Sequence, residues 1–224
     1  MFSRDFRNLN LKDYSYYEEP YRVSNIHFDN TPDQYILRMM VKKPYGKLLI
    51  PEELDWLTGA ILHCNYNQKQ FNLFENSFIY ITVRNGIVKS INDDEWHVDG
   101  FSMRVPHLPE QNYIWSDIYP TEYAAQSFNI PASFDPLKHN LHWLLQEQVQ
   151  QKSIQLFDKN QLTLIDPYIV HRRPIVPVGT KRNFFRVSYI PIEIEDDTCM
   201  QNLLMEKKVY NKEDIRKSLI KWTL

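Results

Sequence analysis

The segment that decides the fold class is Lys181-Arg182-Asn183-Phe184-Phe185-Arg186-Val187-Ser188-Tyr189. Its β-branched and aromatic residues are typical of a β-strand. Side chains two positions apart share one face of a strand, so Arg182, Phe184, Arg186 and Ser188 are expected to point the same way. A guanidinium on an inward-facing surface is costly unless an anion meets it, and arginine binds carboxylates bidentately. The segment therefore predicts a strand whose one face suits an anion such as a dicarboxylic acid.

Working outward from this strand, strand-like segments dominate the chain. They cover residues 21–28, 34–41, 78–84, 87–91, 95–105, 112–119, 124–130, 153–157, 161–166, 168–173 and 183–194. Asn85-Gly86 separates two of them and is a strong hairpin signal. Leucine and isoleucine recur at helical spacing at Leu54, Leu57, Ile61 and Leu62 and predict a helix from 51 to 66. A second helix is expected over 136–151. Residues 200–219 look helical and charged. About ten strands with short connections favour an antiparallel barrel or sandwich over a βαβ fold.

The 224 residues contain no repeat, low-complexity tract or Gly/Ser linker that would mark a boundary. We therefore expect one domain over 1–224. Residues 1–50 would form a flanking arm and strands, residues 78–192 the core, and residues 193–224 a C-terminal helical segment.

Composition excludes several classes of function. The five glycines lie more than ten residues apart, so the clustered glycines of dinucleotide and phosphate loops are missing. A net charge of −2 argues against a protein that coats nucleic acid. Two distant cysteines cannot make a cysteine zinc site or a disulfide framework. The charged N-terminal residues and the lack of a long apolar stretch predict a soluble, cytoplasmic protein without membrane partners.

A candidate metal site lies in Glu95-Trp96-His97-Val98-Asp99-Gly100-Phe101. On a strand, His97 and Asp99 would share a face and supply two ligands for a divalent metal, while Trp96 would pack away from the metal. A second His-x-Asp triplet, His27-Phe28-Asp29, runs into turn residues and is interpreted as a solvated strand end. A third ligand would be needed, and a further histidine, His171, lies near the end of the short strand that precedes the 181–189 segment.

The order His97-x-Asp99, His171 and Arg186-x-Ser188 resembles the iron(II)- and 2-oxoglutarate-dependent dioxygenases. The resemblance covers roughly residues 78–192 and implies a mainly β fold, a double-stranded β-helix (jelly roll) with two or three flanking helices. It implies that iron is held by His97, Asp99 and His171, and that 2-oxoglutarate is the co-substrate, bound by Arg186 and Ser188. The interval from His171 to Arg186 is long for the family, which leaves Arg182 as an alternative anchor.

The resemblance also implies a hydroxylase that uses dioxygen. The substrate would be a small molecule or free amino acid, with a protein side chain or a modified nucleic-acid base as further alternatives. Basic residues at 171–173 and 181–182 suit an anionic substrate or a nucleic-acid backbone, although the favoured interpretation is a solvated turn beside the co-substrate anchor.

Two other functions remain open from the sequence. A cupin-like metalloprotein would use the metal triad without the Arg186-Ser188 anchor, and a non-catalytic β-sandwich binding module would need neither. Ordinary packing is the expectation for Tyr113, Trp115 and Arg104, with substrate contact as the alternative, and residues His139 and His142 are interpreted as lying on a wet helix face.

Overall fold

A computed structural model of the chain describes residues 7–70, 75–89, 95–194 and 197–205, and the protein is mainly β in these ranges. Their strands are β1 (Tyr21–Asn25), β2 (Gln34–Lys42), β3 (Phe78–Ile87), β4 (Gln111–Ser116), β5 (Glu122–Ala124), β6 (Ile154–Leu156), β7 (Gln161–Ile165), β8 (His171–Arg172), β9 (Lys181–Arg182), β10 (Phe184–Ile190) and β11 (Cys199–Met200). The helices of the same ranges are α1 (Thr58–Lys69) and α2 (Leu141–Gln146), with 3-10 turns at Leu11–Ser15, Glu52–Leu57, Gln151–Ser153 and Leu203–Met205.

The strands form a large sheet and a small one. The large sheet has the order β1-β7-β4-β10-β3-β2-β11, and β9 pairs with the end of β3. The small sheet has the order β6-β5-β8. Pairing is antiparallel except between β11 and β2. Over the described residues the large sheet stays open rather than closing on itself.

The register of β10 gives the large sheet two different faces. Phe185 lies opposite Trp115 of β4 and Val83 of β3. The next residue, Arg186, lies opposite Ile114 and Thr82. Because side chains alternate along each strand, the first set forms one face, here called the apolar face, and the second set forms the polar face.

The apolar face packs against α1 and the 3-10 turn before it. Buried residues of β3, β4, β7 and β10 meet Leu54, Leu57, Ile61 and Cys64 in one core cluster. Each fully buried side chain of this size contributes roughly 1.5–3 kcal/mol to folding. Leu62, expected on the buried side of this helix, is 57% exposed, and Ala60 and Cys64 are buried instead.

The polar face is covered by the small sheet. Ile114 and Ile165 of the large sheet contact Tyr123, Phe157 and Ile169 of the small sheet and its flanks. This contact joins the sheets along one side, and the polar residues of β3, β4 and β10 lie beside it. The gap between the sheets is where the candidate site forms.

The predicted hairpin at Asn85-Gly86 is wrong, because β3 runs through both residues. Asn85 pairs with Gln34 of β2, and Gly86 pairs with Arg182 of β9. Gly86 has a φ of 132°, which a residue with a side chain rarely adopts. The Asn85-Gly86 dipeptide, which favours a turn in isolation, is therefore kept extended by its pairing with β2 and β9.

The predicted strand over 95–105 is also absent. Its residues make a single bridge, between His97 and His171, and the chain then turns at Gly100, whose φ is 79°. The second helix is shorter than expected, Leu141–Gln146 rather than 136–151. Most of the helical segment expected over 200–219 lies outside the described residues, and Cys199–Met200 forms a short strand. No helix among the described ranges has both the length and the apolarity to cross a bilayer.

Candidate metal site

His97, Asp99 and His171 come together between the two sheets. Their ligand atoms all lie within 4.8 Å of one another. The backbones of His97 and His171 exchange two hydrogen bonds, of 3.0 and 2.9 Å, which place the two rings side by side with centroids 4.5 Å apart. Asp99 follows two residues later, just before the turn. The three side chains therefore form a cluster able to hold a metal ion.

The turn after Asp99 requires its glycine. A Cβ atom on Gly100 would lie 2.2 Å from the carbonyl oxygen of Leu108. The Gly100 carbonyl in turn accepts a hydrogen bond of 2.7 Å from the Leu108 amide. This close backbone approach folds the segment back and fixes the position of Asp99.

Both imidazoles are oriented by backbone carbonyls two residues earlier. His97 Nδ1 lies 2.8 Å from the Glu95 carbonyl oxygen, and His171 Nδ1 lies 2.8 Å from that of Ile169. A carbonyl only accepts, so each Nδ1 carries a proton, and in the neutral ring Nε2 is the nitrogen with the lone pair. This second contact is the usual way in which proteins orient metal-binding histidines.

Asp99 is held by a cation and an amide. Its Oδ1 lies 3.2 Å from Nη1 of Arg186, and its Oδ2 accepts a hydrogen bond of 2.7 Å from Asn112 Nδ2. Asn112 Oδ1 accepts from the Ser188 hydroxyl at 2.5 Å. Residues from β4 and β10 on the polar face therefore position the carboxylate.

The charges favour the protonation states that bind a metal. Burial pushes the pKa of Asp99 upward, but Arg186, His171 and His97 outweigh it and lower the pKa to about 2. Burial lowers the pKa of His171 to about 4, against the opposing pull of Asp99. Near neutral pH the site therefore presents a carboxylate and a neutral His171 imidazole.

A second buried carboxyl, Glu110, was missed by the sequence reasoning. Its Oε1 accepts a hydrogen bond of 2.8 Å from Asn112 Nδ2, so one amide group binds both Glu110 and Asp99. Burial, followed by repulsion from Asp99, raises the pKa of Glu110 to about 7. Glu110 lies just before β4, whose residues are buried throughout, and no pattern in its own segment marks it.

His142 is also close to the site, contrary to the expectation of a wet helix face. Its ring lies 6.0 Å from that of His97 and 5.3 Å from that of Phe101, and its Nε2 is buried. His139 is exposed and lies before α2, where Nδ1 accepts a hydrogen bond from the Asp135 amide. The two histidines therefore lie in different surroundings, although the sequence offers them as one pair.

The expected co-substrate residues occupy three different positions. Arg186 faces the triad, and its Nε is buried without a hydrogen-bond partner in the described structure. Arg182 is 5% exposed, and its Nε donates to the carbonyls of Ile118 and Tyr119 at 3.2 and 3.0 Å. Ser188 lies behind Arg186, with its hydroxyl engaged by Asn112. A break at Asn183 places Arg182 on its own short strand rather than on the strand of Arg186.

A cavity of about 100 Å³, here called the inner cavity, opens beside the triad. His97, His171, Arg182 and Arg186 are among its lining residues. Arg182, Phe184 and Arg186 were predicted to point the same way, and all three line the inner cavity. The cavity thus combines two imidazoles with guanidinium groups.

The remaining candidates lie elsewhere. His27 and Asp29 are exposed, beyond the end of β1. Tyr113 and Trp115 lie in the core of the apolar face, which excludes them as substrate contacts. Arg104 is exposed in the turn after Gly100. Trp96 packs with Val98 in a separate hydrophobic cluster, as expected, and carries Arg172 over its ring at 4.6 Å.

Comparison with known proteins gives little beyond this geometry. No protein-family model matches the chain, and no curated protein matches it significantly. AviO1 from Streptomyces viridochromogenes Tue57 aligns with a TM-score of 0.37 and 13% identity, over 80% of this chain and 78% of AviO1. EvdMO1 aligns with a TM-score of 0.37 and 14% identity, over 80% of this chain and 41% of EvdMO1. Function is therefore inferred from the residues of the site.

Proposed function

We propose that the protein is an iron(II)- and 2-oxoglutarate-dependent oxygenase with a double-stranded β-helix core, which hydroxylates a small molecule or an amino acid. The observation that carries the proposal is the joining of His97, Asp99 and His171 in one cluster, with Arg186 beside it at the inner cavity. The order of these residues in the sequence resembles that family, and the fold brings the distant residues together.

The donor set fits iron(II). Two imidazole nitrogens and one carboxylate are the ligands of mononuclear non-haem iron oxygenases, and they leave coordination positions open for other molecules. In this chain His97 and His171 would offer Nε2, since each Nδ1 is held by a carbonyl. Asp99 would offer its carboxylate, which Arg186 and Asn112 keep oriented.

The residues around the triad also fit a dicarboxylate. Arg186 has a buried donor, Nε, that lacks a partner among the described residues, and a bidentate anion would satisfy such a group. Arg182 is a second guanidinium on the same cavity, so either arginine could take the distal carboxylate. The 2-oxoglutarate affinities of Arg186→Ala and Arg182→Ala distinguish the two assignments.

The chain's own residues have four tasks in this function. The bound iron and 2-oxoglutarate supply the oxidising chemistry with dioxygen. His97, Asp99 and His171 hold the metal, and Arg186 neutralises carboxylate charge next to it. Asn112 fixes Asp99 through one amide hydrogen and holds Glu110 through the same nitrogen. Asp99 and His171 are largely buried between the two sheets, which strengthens their electrostatic contacts.

One contact favours a second function. Arg186 already pairs with Asp99 at 3.2 Å, so its role can be to support a metal ligand rather than to bind a co-substrate. A cupin-like metalloprotein without 2-oxoglutarate would use the site in that way. The two functions differ in one measurable property, the binding of 2-oxoglutarate to the metal-loaded protein.

The experiment is an anaerobic titration of iron(II)-loaded protein with 2-oxoglutarate, followed by visible absorption. We expect a weak charge-transfer band that saturates at one equivalent and is absent without iron. Succinate, which lacks the keto group, is the matched control and should produce no band. Iron binding without any band or calorimetric signal from 2-oxoglutarate would favour the cupin-like function.

A further inference from the structure

A groove of about 670 Å³, here called the outer groove, lies next to the inner cavity. The two share three lining residues, Arg84, Arg173 and Arg182, here called the arginine junction. These residues come from β3, from the segment after β8 and from β9. The arginine junction therefore stands between the metal triad and the outer groove.

The two volumes suit different occupants. The inner cavity is smaller than the roughly 300–1,000 Å³ of a typical small-molecule pocket. The outer groove falls within that range. A substrate with its reacting end near the triad would therefore keep most of its body in the outer groove, and it would pass the arginine junction.

The outer groove carries an excess of positive charge. Its described lining includes the three junction arginines and Lys89, against one carboxylate, Asp33. Asp33 is itself paired with Lys181 at 3.0 Å. Burial is the main cause that lowers the pKa of Arg182 to about 10, and the charge of Arg173 adds to the effect.

Arg182 is the best-defined member of the junction. It is 5% exposed, its Nε binds two neutral carbonyls, and no carboxylate of the described residues lies within ion-pair distance of it. The nearby carboxylate of Asp117 instead accepts hydrogen bonds from the Asn183 backbone and side-chain amides at 2.9 and 2.6 Å. A buried cation without a counter-ion is costly, and a bound anion would offset that cost.

The basic residues on either side of the junction are turned to other tasks. Arg172 binds Glu122 at 2.6 Å and stacks on Trp96, and Lys181 binds Asp33. Arg173 and Arg182, their immediate neighbours, line the outer groove, and the Lys181–Asp33 pair lies at its edge.

We propose that the arginine junction binds an oxyanion of a small-molecule substrate, a phosphate, sulfate or carboxylate, whose body lies in the outer groove. This inference rests on the proposed function, because it takes the triad as the reacting centre. The volume of the outer groove, which lies within the range of small-molecule pockets, favours a small molecule over a nucleic-acid backbone.

The test uses full-length protein loaded with manganese(II) and 2-oxoglutarate, titrated by calorimetry with inorganic phosphate, sulfate and pyrophosphate at constant ionic strength. We expect pyrophosphate to bind more tightly than phosphate. Arg84→Gln and Arg173→Gln should each weaken binding at least about tenfold, the equivalent of one 1.4 kcal/mol contact. Arg22→Gln is the matched control, since Arg22 is 70% exposed and lies on β1, at the opposite edge of the large sheet.

The outcomes separate the two proposals. Loss of anion affinity in the junction variants, with manganese and 2-oxoglutarate affinity kept within twofold, supports the junction. Anion binding that is unchanged in both variants, or no stronger than that of chloride, overturns it. A short single-stranded oligonucleotide that binds far more tightly than pyrophosphate would overturn the small-molecule assignment. Junction-dependent anion binding without any 2-oxoglutarate binding would refute the proposed oxygenase and leave the anion site standing.

Discussion

The two faces of the large sheet are made by the same strands but are built on opposite principles. On the apolar face, Phe185 is fully buried and stacks on Trp115 with ring centroids 5.3 Å apart. On the polar face, the next residue, Arg186, meets the Asp99 carboxylate at 3.2 Å. Adjacent residues of β10 thus serve a hydrophobic core on one side and a charged cluster on the other.

The apolar face of the large sheet contributes mainly to folding stability, whereas the polar face carries the candidate metal site. The apolar face gains from burial that is insensitive to the protonation of its residues. The polar face holds Asp99, Glu110, His171 and Arg186 in a partly dry gap, where each charge depends on its partners. Substitutions on the first face should therefore change folding, and substitutions on the second should change ligand binding.

The largest effect is expected from Asp99→Ala. It removes one of three proposed ligands, so manganese(II) or iron(II) binding should be abolished. Asp29→Ala, in the exposed His27-Phe28-Asp29 triplet, is the control and should bind metal like the wild type. Calorimetric titration of both variants measures this, and similar behaviour of the two would refute the assignment of the metal site.

On the apolar face, Phe185→Ala should lower the free energy of unfolding by about 3–5 kcal/mol, the usual cost of removing a buried phenyl ring. Metal affinity should stay within about twofold, because Phe185 points away from the triad. Urea denaturation and manganese titration test the two halves of this prediction. Phe185→Leu provides a milder variant if the alanine variant does not fold, and a large loss of metal affinity in a folded variant would contradict the separation of the faces.

On the polar face, Arg186→Ala should weaken 2-oxoglutarate binding by roughly two to three decades, because loss of a buried charge partner costs about 3–5 kcal/mol. Arg186→Lys should recover only part of that loss. Because Arg186 touches Asp99, we also expect a metal-affinity change, of at most about the 10–100-fold typical of lost outer contacts.

Arg182→Ala is the comparison that decides the anchor. It should cost less 2-oxoglutarate affinity than Arg186→Ala in manganese-loaded protein. The reverse order would exchange the two roles, and no effect in either variant would remove the main support for the oxygenase. Ser188→Ala should have a small effect, since its hydroxyl already binds Asn112.

The smallest effect concerns pH in metal-free protein. The pKa of Glu110 is raised from 4.5 to about 7, so its proton is held more tightly in the folded state and its contribution to stability falls as pH rises through this range. The pKa of His171 is lowered from 6.5 to about 4, so its contribution rises with pH from 4 to 6.5. The two slopes oppose each other and, at about 1.4 kcal/mol per pH unit for one proton, largely cancel.

Glu110→Gln should remove the opposing contribution of Glu110, so that the contribution of His171 to the pH dependence of stability becomes measurable. Its free energy of unfolding should rise between pH 4.5 and 6.5 more steeply than that of the wild type, as measured by urea denaturation with a chelator present. Glu147→Gln, at an exposed position after α2, should keep the wild-type profile. Parallel profiles for Glu110→Gln and the wild type would show that Glu110 carries no special proton.

Sequence reasoning predicted what depends on alternation and chain order. The alternation of side chains along 184–190 predicted that Phe185 and Arg186 lie on opposite faces. The order His97-x-Asp99 and His171 predicted the cluster of candidate metal ligands. It failed where distant pairing decides the backbone, as at Asn85-Gly86, which β2 and β9 hold extended. His97 and Asp99 converge through a bridge and the Gly100 turn rather than through the predicted strand.

Glu110 and His142 could not be found from the sequence for a related reason. Each is ordinary in its own segment and becomes part of the site only because another segment is folded against it. Asn112 shows the same dependence, since its two hydrogen bonds to carboxylates join Asp99 and Glu110 across a turn. Contacts between segments that are distant in the sequence leave no pattern within either segment.

The position of Cys64 on the buried side of α1 has a kinetic consequence. Its thiol is fully buried in the core of the apolar face, and burial raises its pKa well above the usual range. Alkylating reagents attack the thiolate, so they reach Cys64 only while α1 is lifted from the sheet. Cys199, a free thiol that is only partly buried, offers an internal reference in the same molecule. The ratio of the two modification rates has no unit and reports the fraction of time for which the apolar face is open.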